Sequence, residues 1–318
     1  MTSVNQTSPF HPGEQAIQTR TGTRERSEKI GQRAIRDHLP DQHREFYAQL
    51  PYVFLGAVDH GGQPWASMLI GRPGFMSSPD PRSLEIRTKL VDGDPLHGQF
   101  GAGASVGLLG IEYETRRRNR LSARVIDTDH THIALHIEQS FGNCPQYIQA
   151  RGLTLLDGID VIGEPRERDD FTEFNTGAHE LIESSDNFYI ASHHTENMDA
   201  VSNGADVSHR GGEPGFVKLL DKRTLQFPDY PGNNHFNTFG NLLLSPRAGL
   251  TFVDFRSGDL LFLTGSAEII WDGPKVAAIP GAQRLVRFTL AQGRRVANAA
   301  PIQWEFLNYS PRLLQLKS

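Results

Sequence analysis

The sequence has one cysteine, Cys144, among its 318 residues. A single thiol excludes an intrachain disulfide, and it excludes a four-cysteine zinc or iron–sulfur site built from this chain alone. Residues 1–36 contain no apolar run of seven residues, so we expect neither a secretory signal nor a membrane anchor there and predict a cytoplasmic protein. Lysine and arginine total 32 against 37 acidic residues. This balance gives no reason to expect a nucleic-acid or membrane partner.

Common catalytic and metal-binding motifs are also missing. There is no HExxH, paired CxxC or Walker sequence, and the glycines near residue 103 miss the spacing of a dinucleotide fingerprint. His193 and His194 are adjacent on a predicted strand, so they point to opposite faces and cannot easily chelate one metal. No metal site is predicted. No partner for nucleophilic catalysis is identifiable for Cys144, so a structural role is at least as well supported as a reactive one.

What remains is the composition of an ordinary globular protein, with 37% hydrophobic residues, 22% charged residues and a mean hydropathy of -0.43. The length predicts about two domains. Helical spacing fills residues 13–49, with a break at Pro40, and β-rich runs begin at Tyr52 with a hairpin. We divide the chain into an N-terminal helical extension at 1–50, a first half at 51–140, a helical connector at 141–184 and a second half at 185–318.

An internal repeat relates the two halves. The matched segments are Gly71–Phe75 with Gly212–Phe216, Arg82–Ile86 with Arg223–Phe227, Gly107–Leu108 with Gly249–Leu250, and Leu121–Ala123 with Leu263–Gly265. The first two pairs share one offset, and the last two are one residue out of register with them. Two generic hairpins with Pro-Gly turns would not readily explain this spacing. The pattern therefore predicts two copies of one β-rich unit.

Two segments of the second half carry the polar chemistry. Residues 207–217 combine a permanent cation, Arg210, with two glycines and an adjoining strand, which are the parts needed to hold a phosphate against a sheet edge. The alternative is an ordinary glycine turn with a solvated arginine. Residues 227–238 place three asparagines, a histidine, a tyrosine and a threonine before a predicted helix, which suits a heteroaromatic dione, a ribityl chain or a phosphate. An Asx-rich turn that caps the helix is the alternative there.

In the first half, the basic run Arg116–Arg120 offers a further anion site. On charge patterning alone, such a run is more often the solvated end of a strand.

These segments resemble flavin-nucleotide-binding proteins related to pyridoxamine 5'-phosphate oxidase. The resemblance covers about residues 10 to 310 and is carried by the runs at 64–67, 79–82, 110–112, 115–120, 139–147, 209–212, 228–238 and 240–242. It implies a β-rich α+β fold with two tandem FMN-binding split β-barrels and flanking helices, forming an internal pseudo-dimer. FMN would lie in the groove where the barrels meet. The oxidase has an Arg-Lys pair in its phosphate-binding turn, and here Asn233, Asn234 and His235 replace it, so phosphate binding would depend on Arg210 and backbone N–H groups.

The resemblance also implies the cofactor-binding residues. They are Ser208, His209, Arg210, Gly211, Gly212, Phe216, Val217, Tyr230, Asn233, Asn234, His235, Asn237 and Thr238, with Arg117 contributed across the groove. The first copy lacks the His-Arg-Gly-Gly lead-in, so one FMN per chain is expected.

The function predicted from this resemblance is that of an FMN-dependent oxidoreductase. No catalytic side chain is predicted, because the isoalloxazine itself performs hydride or electron transfer. Partners are expected among a small-molecule substrate, NAD(P)H, a separate reductase or ferredoxin, and a second copy in a homodimer. The alternatives are a non-catalytic flavin- or haem-binding carrier and a degenerate structural protein that binds nothing.

Overall fold

The computed structural model describes residues 8–195, 202 and 204–316. The helices lie at Pro12–Arg20 (α1), Arg24–Ala34 (α2), Asp41–Gln49 (α3), Thr176–Ser184 (α4), Asn237–Leu244 (α5), Pro274–Ala277 (α6) and Pro311–Leu314 (α7), with a 3₁₀ turn at Asp157–Val161. None of the helices in these described ranges is long and apolar enough to cross a membrane.

The first sheet is antiparallel throughout. Its strands are Tyr52–Val58 (β1), Pro64–Ile70 (β2), Met76–Ser77 (β3), Ser83–Ile86 (β4), Ser105–Glu112 (β5), Arg117–Thr128 (β6) and Ile133–Asn143 (β7). They lie in the order β2-β1-β5-β6-β7-β4-β3. The predicted hairpin is confirmed as β1 and β2, and the predicted break at Pro40 separates α2 from α3.

Two further strands lie in the connector and one lies near the end of the chain. They are Ala150–Leu155 (β8), Arg168–Phe171 (β9) and Ile302–Asn308 (β17). In the described part of the chain, the second sheet has eight strands. Seven of them are Asn187–His194 (β10), Gly204–Gly211 (β11), Lys218–Leu219 (β12), Thr224–Asp229 (β13), Arg247–Val253 (β14), Leu260–Ile270 (β15) and Arg284–Val296 (β16), and β9 pairs with β16 as the eighth. Its order, β11-β10-β14-β15-β16-β13-β12, repeats that of the first sheet strand for strand. The predicted β-rich α+β class with two tandem sheets is confirmed.

The repeated sequence at Gly71–Phe75 and Gly212–Phe216 forms the same turn in both sheets. In each copy the phenylalanine N–H donates to the carbonyl of the residue after the first glycine, at 2.9 Å. The phenylalanine ring packs directly on that first glycine, where any Cβ would collide with it. Glycine is required here by ring packing, and this requirement explains why the motif recurs at one spacing.

The two sheets meet face to face about a pseudo-twofold axis. Phe54 of β1 stacks on Tyr189 of β10, its equivalent in the second sheet, with ring centroids 3.3 Å apart and planes 13° apart. On either side of this pair, Gly107 of β5 lies against the backbone of β11, and Gly249 of β14 lies against the backbone of β2. The strand β2 is buried along its whole length, because one face contacts its own half and the other contacts the second sheet.

The segment predicted as a helical connector, 141–184, contains one α-helix, α4, together with the end of β7, β8, the 3₁₀ turn and β9. The helical prediction is wrong for residues 150–155, because they pair with β17 near the end of the chain. Helix α4 begins at Thr176, where Asn175 caps it by accepting the Ala178 N–H at 2.9 Å.

Candidate functional site

A cavity open to solvent lies where the two halves meet, and its empty space, including the solvent-filled mouth, is about 850 Å³. The first half contributes residues of β6 and the end of β7. The second half contributes β11, the end of β13, the loop after it and the first turn of α5. The lining residues are Arg118, Arg120, Asn143, Cys144, Gln146, Tyr147, Ser208, His209, Arg210, Gly211, Pro228, Asp229, Tyr230, Gly232, Asn233, Asn234, Phe236, Asn237, Thr238, Phe239 and Gln283.

Most of the residues predicted to bind a cofactor line this one cavity. They are Ser208, His209, Arg210, Gly211, Tyr230, Asn233, Asn234, Asn237 and Thr238. Gly212, Phe216 and Val217 do not line it, because they belong to the repeated turn and the core beneath it. The side chain of His235 is buried. Its ring lies between those of Phe10 and Phe141, with centroid distances of 5.4 and 5.3 Å. That any of these residues binds a cofactor stays a prediction.

Arg117 also lies outside the cavity lining. It donates to the Gln42 carbonyl at 2.8 Å and lies over the ring of Phe46. Side chains alternate along a strand, so Arg118 and Arg120 of β6 point the other way and reach the cavity. The basic run Arg116–Arg120 indicated a candidate anion site that includes these two arginines. The sequence did not show which face of β6 lies against the second half.

Arg118 is a cation in this cavity with no carboxylate partner among the described residues. Its Nε donates to the Cys144 carbonyl at 2.8 Å, and its Nη1 lies 3.5 Å from Nδ1 of His209. Burial, together with the nearby charge of Arg210, lowers the pKa of Arg118 to about 10. Such a depression means that the guanidinium is poorly compensated by the protein around it.

The other three arginines of the site share two carboxylates. Arg120 pairs with Asp206, and Arg210 pairs with Asp229 at 2.5 Å, which also lies 3.3 Å from Arg284. With Arg118 included, four guanidinium groups face two carboxylates, so two positive charges are in excess. Burial together with Arg118 and Arg210 lowers the pKa of Arg120 to about 9. An anionic ligand group would relieve this repulsion.

Several buried polar atoms at the cavity lack a partner among the described residues. They are Nε2 of His209, Nε of Arg210 and Oδ1 of Asn237. An arginine can only donate, so Nδ1 of His209 is the acceptor toward Arg118 and Nε2 carries the hydrogen. Burial, with the charges of Arg118, Arg151 and Arg210, lowers the pKa of His209 well below its ordinary value. The cavity therefore offers two unused donors and one unused acceptor to a ligand.

Aromatic rings form one wall of the cavity. Tyr147 lies 5.3 Å from Tyr230 between ring centroids and donates to the Pro231 carbonyl at 3.0 Å. The backbone of Tyr147 passes so close to Gly211 that any Cβ there would overlap its carbonyl oxygen. Gly211 is thus required for packing at the cavity wall. Cys144 is half-buried in the same lining.

The sequence reading missed a carboxyl group behind the cavity. Glu14 of α1 accepts from Nδ2 of Asn237 at 2.5 Å and from the His11 N–H at 2.8 Å, and it is buried. Burial raises the pKa of Glu14 to about 8, against the opposing effect of these hydrogen bonds and of Arg120. Glu14 is therefore uncharged near pH 7 and does not cancel the excess positive charge. The capping-box spacing of His11 and Glu14 predicts a helix start but not this contact.

Glu14 should make stability depend on pH. In the unfolded chain its carboxyl ionises near its ordinary pKa of 4.5, whereas the folded protein keeps the proton until about pH 8. The free energy of unfolding should therefore fall as pH rises through this window, by up to about 1.4 kcal/mol per pH unit. Glu14→Gln removes the effect. In urea unfolding, the free energy of unfolding of the variant should therefore rise relative to that of the wild type as the pH increases from 4.5 to 8. A difference that stays constant with pH would contradict this assignment.

The pseudo-twofold axis generates an equivalent position in the other half, and core residues fill it. By the shared strand register, the counterparts of His209, Arg210, Arg118 and Arg120 are hydrophobic. They are Met68, Leu69, Leu260 and Phe262, all buried in a hydrophobic core to which both sheets contribute. The scaffold is symmetric, but among the described residues the polar cavity has no counterpart at the equivalent position.

No protein-family model matches the chain, and no curated protein matches it. Similar solved structures include HupZ of Group A Streptococcus (14% identity, TM-score 0.30, covering 37% of this chain and 89% of that one). They also include a Clostridium acetobutylicum protein related to general stress protein 26, of the pyridoxinephosphate oxidase family (16%, 0.28, 41% and 92%). A third is the FAD binding protein from Mycobacterium smegmatis (16%, 0.24, 41% and 98%).

One of these similar structures is of the pyridoxinephosphate oxidase family, which the sequence resembles. Within the described residues, no group of three or more His, Cys, Asp or Glu side chains is placed to hold a metal ion.

Proposed function

We propose that this cavity binds FMN. The observation that carries the proposal is the excess of two positive charges among Arg118, Arg120, Arg210 and Arg284, which matches a phosphate monoester of charge about -1.5 to -2 at neutral pH. The unused donors on His209 and Arg210 fit the oxygens of such a ligand. The amide groups of the loop residues and the tyrosine wall suit its ribityl chain and ring.

Riboflavin, which lacks the phosphate, tests the charge argument directly. If the arginines hold the phosphate, the wild type should bind FMN about 100-fold more tightly than riboflavin, because two or more charge-assisted hydrogen bonds are lost. Flavin fluorescence titrations at equal ionic strength measure both affinities. Equal affinities would show that the arginines do not recognise a phosphate and would remove the main support for FMN.

We further propose that the chain is an FMN-dependent oxidoreductase. When bound, the flavin would supply hydride or electron transfer, and the protein would bind and orient it. Arg118, Arg120 and Arg210 would hold the phosphate, the tyrosines would limit access of water, and neutral His209 would donate a hydrogen bond from Nε2. NAD(P)H, a small-molecule substrate, or a separate reductase or ferredoxin would supply or accept the electrons.

A carrier is the competing function, and absorbance separates the two. An oxidoreductase should lose its flavin absorbance when NADH, NADPH or a reduced ferredoxin is added without oxygen, and it should regain the absorbance with an acceptor. A protein that binds FMN but is bleached by none of these donors would favour the carrier. A haem spectrum in the purified protein would overturn the flavin proposal.

One FMN per chain is expected, because the equivalent position in the other half is filled by core residues. The common strand order and the repeated turn also support the proposal that the two halves descend from one duplicated unit. A titration that saturates at two equivalent FMN molecules per chain would contradict the single-site expectation.

A further inference from the structure

The loop at residues 230–236, here called the cavity loop, has an unusual backbone. Asn234 and Phe236 have φ values of 60° and 64°, in the left-handed region. Asparagine tolerates this conformation, but a bulky residue such as phenylalanine rarely adopts it. Phe236 also precedes α5 directly and lines the cavity. Backbone strain of this kind persists only where neighbouring structure holds it in place.

The structure that holds the loop is the N-terminal helical segment. Gln18 of α1 donates from Nε2 to the His235 carbonyl at 3.2 Å, and Ser27 of α2 donates from Oγ to the Asn234 carbonyl at 3.2 Å. Gln18 is fully buried and Ser27 is 3% exposed. Both bonds therefore fix carbonyls at or next to the strained residues, and neither Gln18 nor Ser27 lines the cavity.

Helix α1 can reach the loop because it crosses α5 in backbone contact. A Cβ on Gly13 would overlap the Gly240 carbonyl, and a Cβ on Gly240 would lie 2.6 Å from Cγ of Glu14. This close crossing is what brings Glu14 to Asn237 of the cavity lining. Phe10, ahead of α1, adds a ring contact to the buried His235. Residues far apart in sequence thus converge on one loop.

We propose that residues 8–34 form a clamp in which Gln18 and Ser27 are positioning residues for the cavity loop. The clamp holds the loop in its strained conformation, with Asn233, Asn234 and Asn237 at the cavity, and so slows the release of the bound ligand. The identity of that ligand rests on the proposed FMN function. The ordering of the loop by the clamp does not.

The test uses Gln18→Glu in the full chain. Glutamate keeps the shape of the side chain and can still accept from Arg24, whose Nη1 lies 3.2 Å from Oε1 of Gln18, but its ionised carboxylate cannot donate to His235. Thr19→Ala is the matched control, because Thr19 is exposed on the same helix. Ser27→Ala removes the second donor independently, should Gln18→Glu fail to fold.

Two readouts are needed. The first is hydrogen exchange of the ligand-free protein, in which amides of the cavity loop and the start of α5 should exchange about tenfold faster in Gln18→Glu, while β14 and β15 keep their protection. The second is stopped-flow FMN release, which should also be about tenfold faster, with the association rate unchanged. Thr19→Ala should match the wild type in both.

The outcomes separate the clamp from the FMN proposal. Faster exchange confined to the loop, with faster FMN release, supports the clamp. Faster loop exchange in a protein that takes up no FMN supports the loop ordering and overturns only the FMN function. Unchanged loop exchange overturns the clamp whether or not FMN binds. Faster exchange with unchanged FMN release overturns the claim that the clamp controls the ligand.

Discussion

Replacing Arg118 by alanine should weaken FMN binding by about 10- to 100-fold, because a hydrogen bond to an ionised group contributes about 1.5 to 3 kcal/mol. Arg118 is the lining arginine with no carboxylate partner among the described residues, so its charge is free for the ligand. Its removal leaves no buried acid unpaired, unlike removal of Arg210, which would weaken the pairing of Asp229. Fluorescence titration with FMN measures the loss, and riboflavin affinity should change little.

Arg117→Ala is the matched control for this prediction. Arg117 is adjacent in sequence and equal in charge, but its guanidinium lies over Phe46, away from the cavity. Its removal should change FMN affinity by less than about twofold, since long-range effects of a solvated charge are screened. If Arg117→Ala weakened binding as much as Arg118→Ala, the ligand would lie elsewhere than in this cavity.

The comparison of Arg117 with Arg118 also shows where sequence reasoning reached its limit. The basic run indicated a candidate anion site, but a shift of one residue moves every side chain to the other face of a strand. The face that meets the second half is set by the packing of the two sheets about Phe54 and Tyr189. No local pattern in the sequence encodes that packing.

The two sheets were predictable for a physical reason. The repeated turn needs glycine under a phenylalanine ring in both copies, so the sequence retains the same residues at the same spacing. The polar loop at 228–238 was also predictable, because amide-rich turns before a helix are distinctive. Both features depend on residues that are close together in the sequence, so they could be recognised from the sequence alone.

The features that sequence reasoning missed depend on distant contacts. Strand β8 exists because it pairs with β17, about 150 residues further on. Glu14 belongs to the site because Gly13 and Gly240 allow two helices to touch. In each case the residues alone fit several structures, and tertiary packing selects one of them.

Gly249→Ala should destabilise the protein by about 3 kcal/mol, at the upper end of the usual cost of overpacking. The added Cβ would overlap the carbonyl of Pro64 and lie 2.5 Å from the Cα of Trp65. Both obstacles are backbone atoms of β2, which cannot rotate away, so the two sheets would have to separate. Urea unfolding measures the loss. The control is Gly101→Ala, where an added Cβ meets nothing within 4 Å and stability should change by less than about 0.5 kcal/mol.

Gly107→Ala is the pseudo-symmetric counterpart of Gly249→Ala. Comparing the two variants should distinguish a loss of fold stability from a loss of FMN binding at the cavity. Its Cβ would lie 2.6 Å from the Ala205 carbonyl oxygen and 2.8 Å from the Cα of Asp206, so the stability loss should be similar to that of Gly249→Ala. Asp206 pairs with Arg120 in the cavity, whereas β2 borders the side filled by core residues. Gly107→Ala should therefore also weaken FMN binding, and Gly249→Ala should not. Equal losses of FMN affinity in both variants would mean that FMN affinity depends only on the overall stability of the fold.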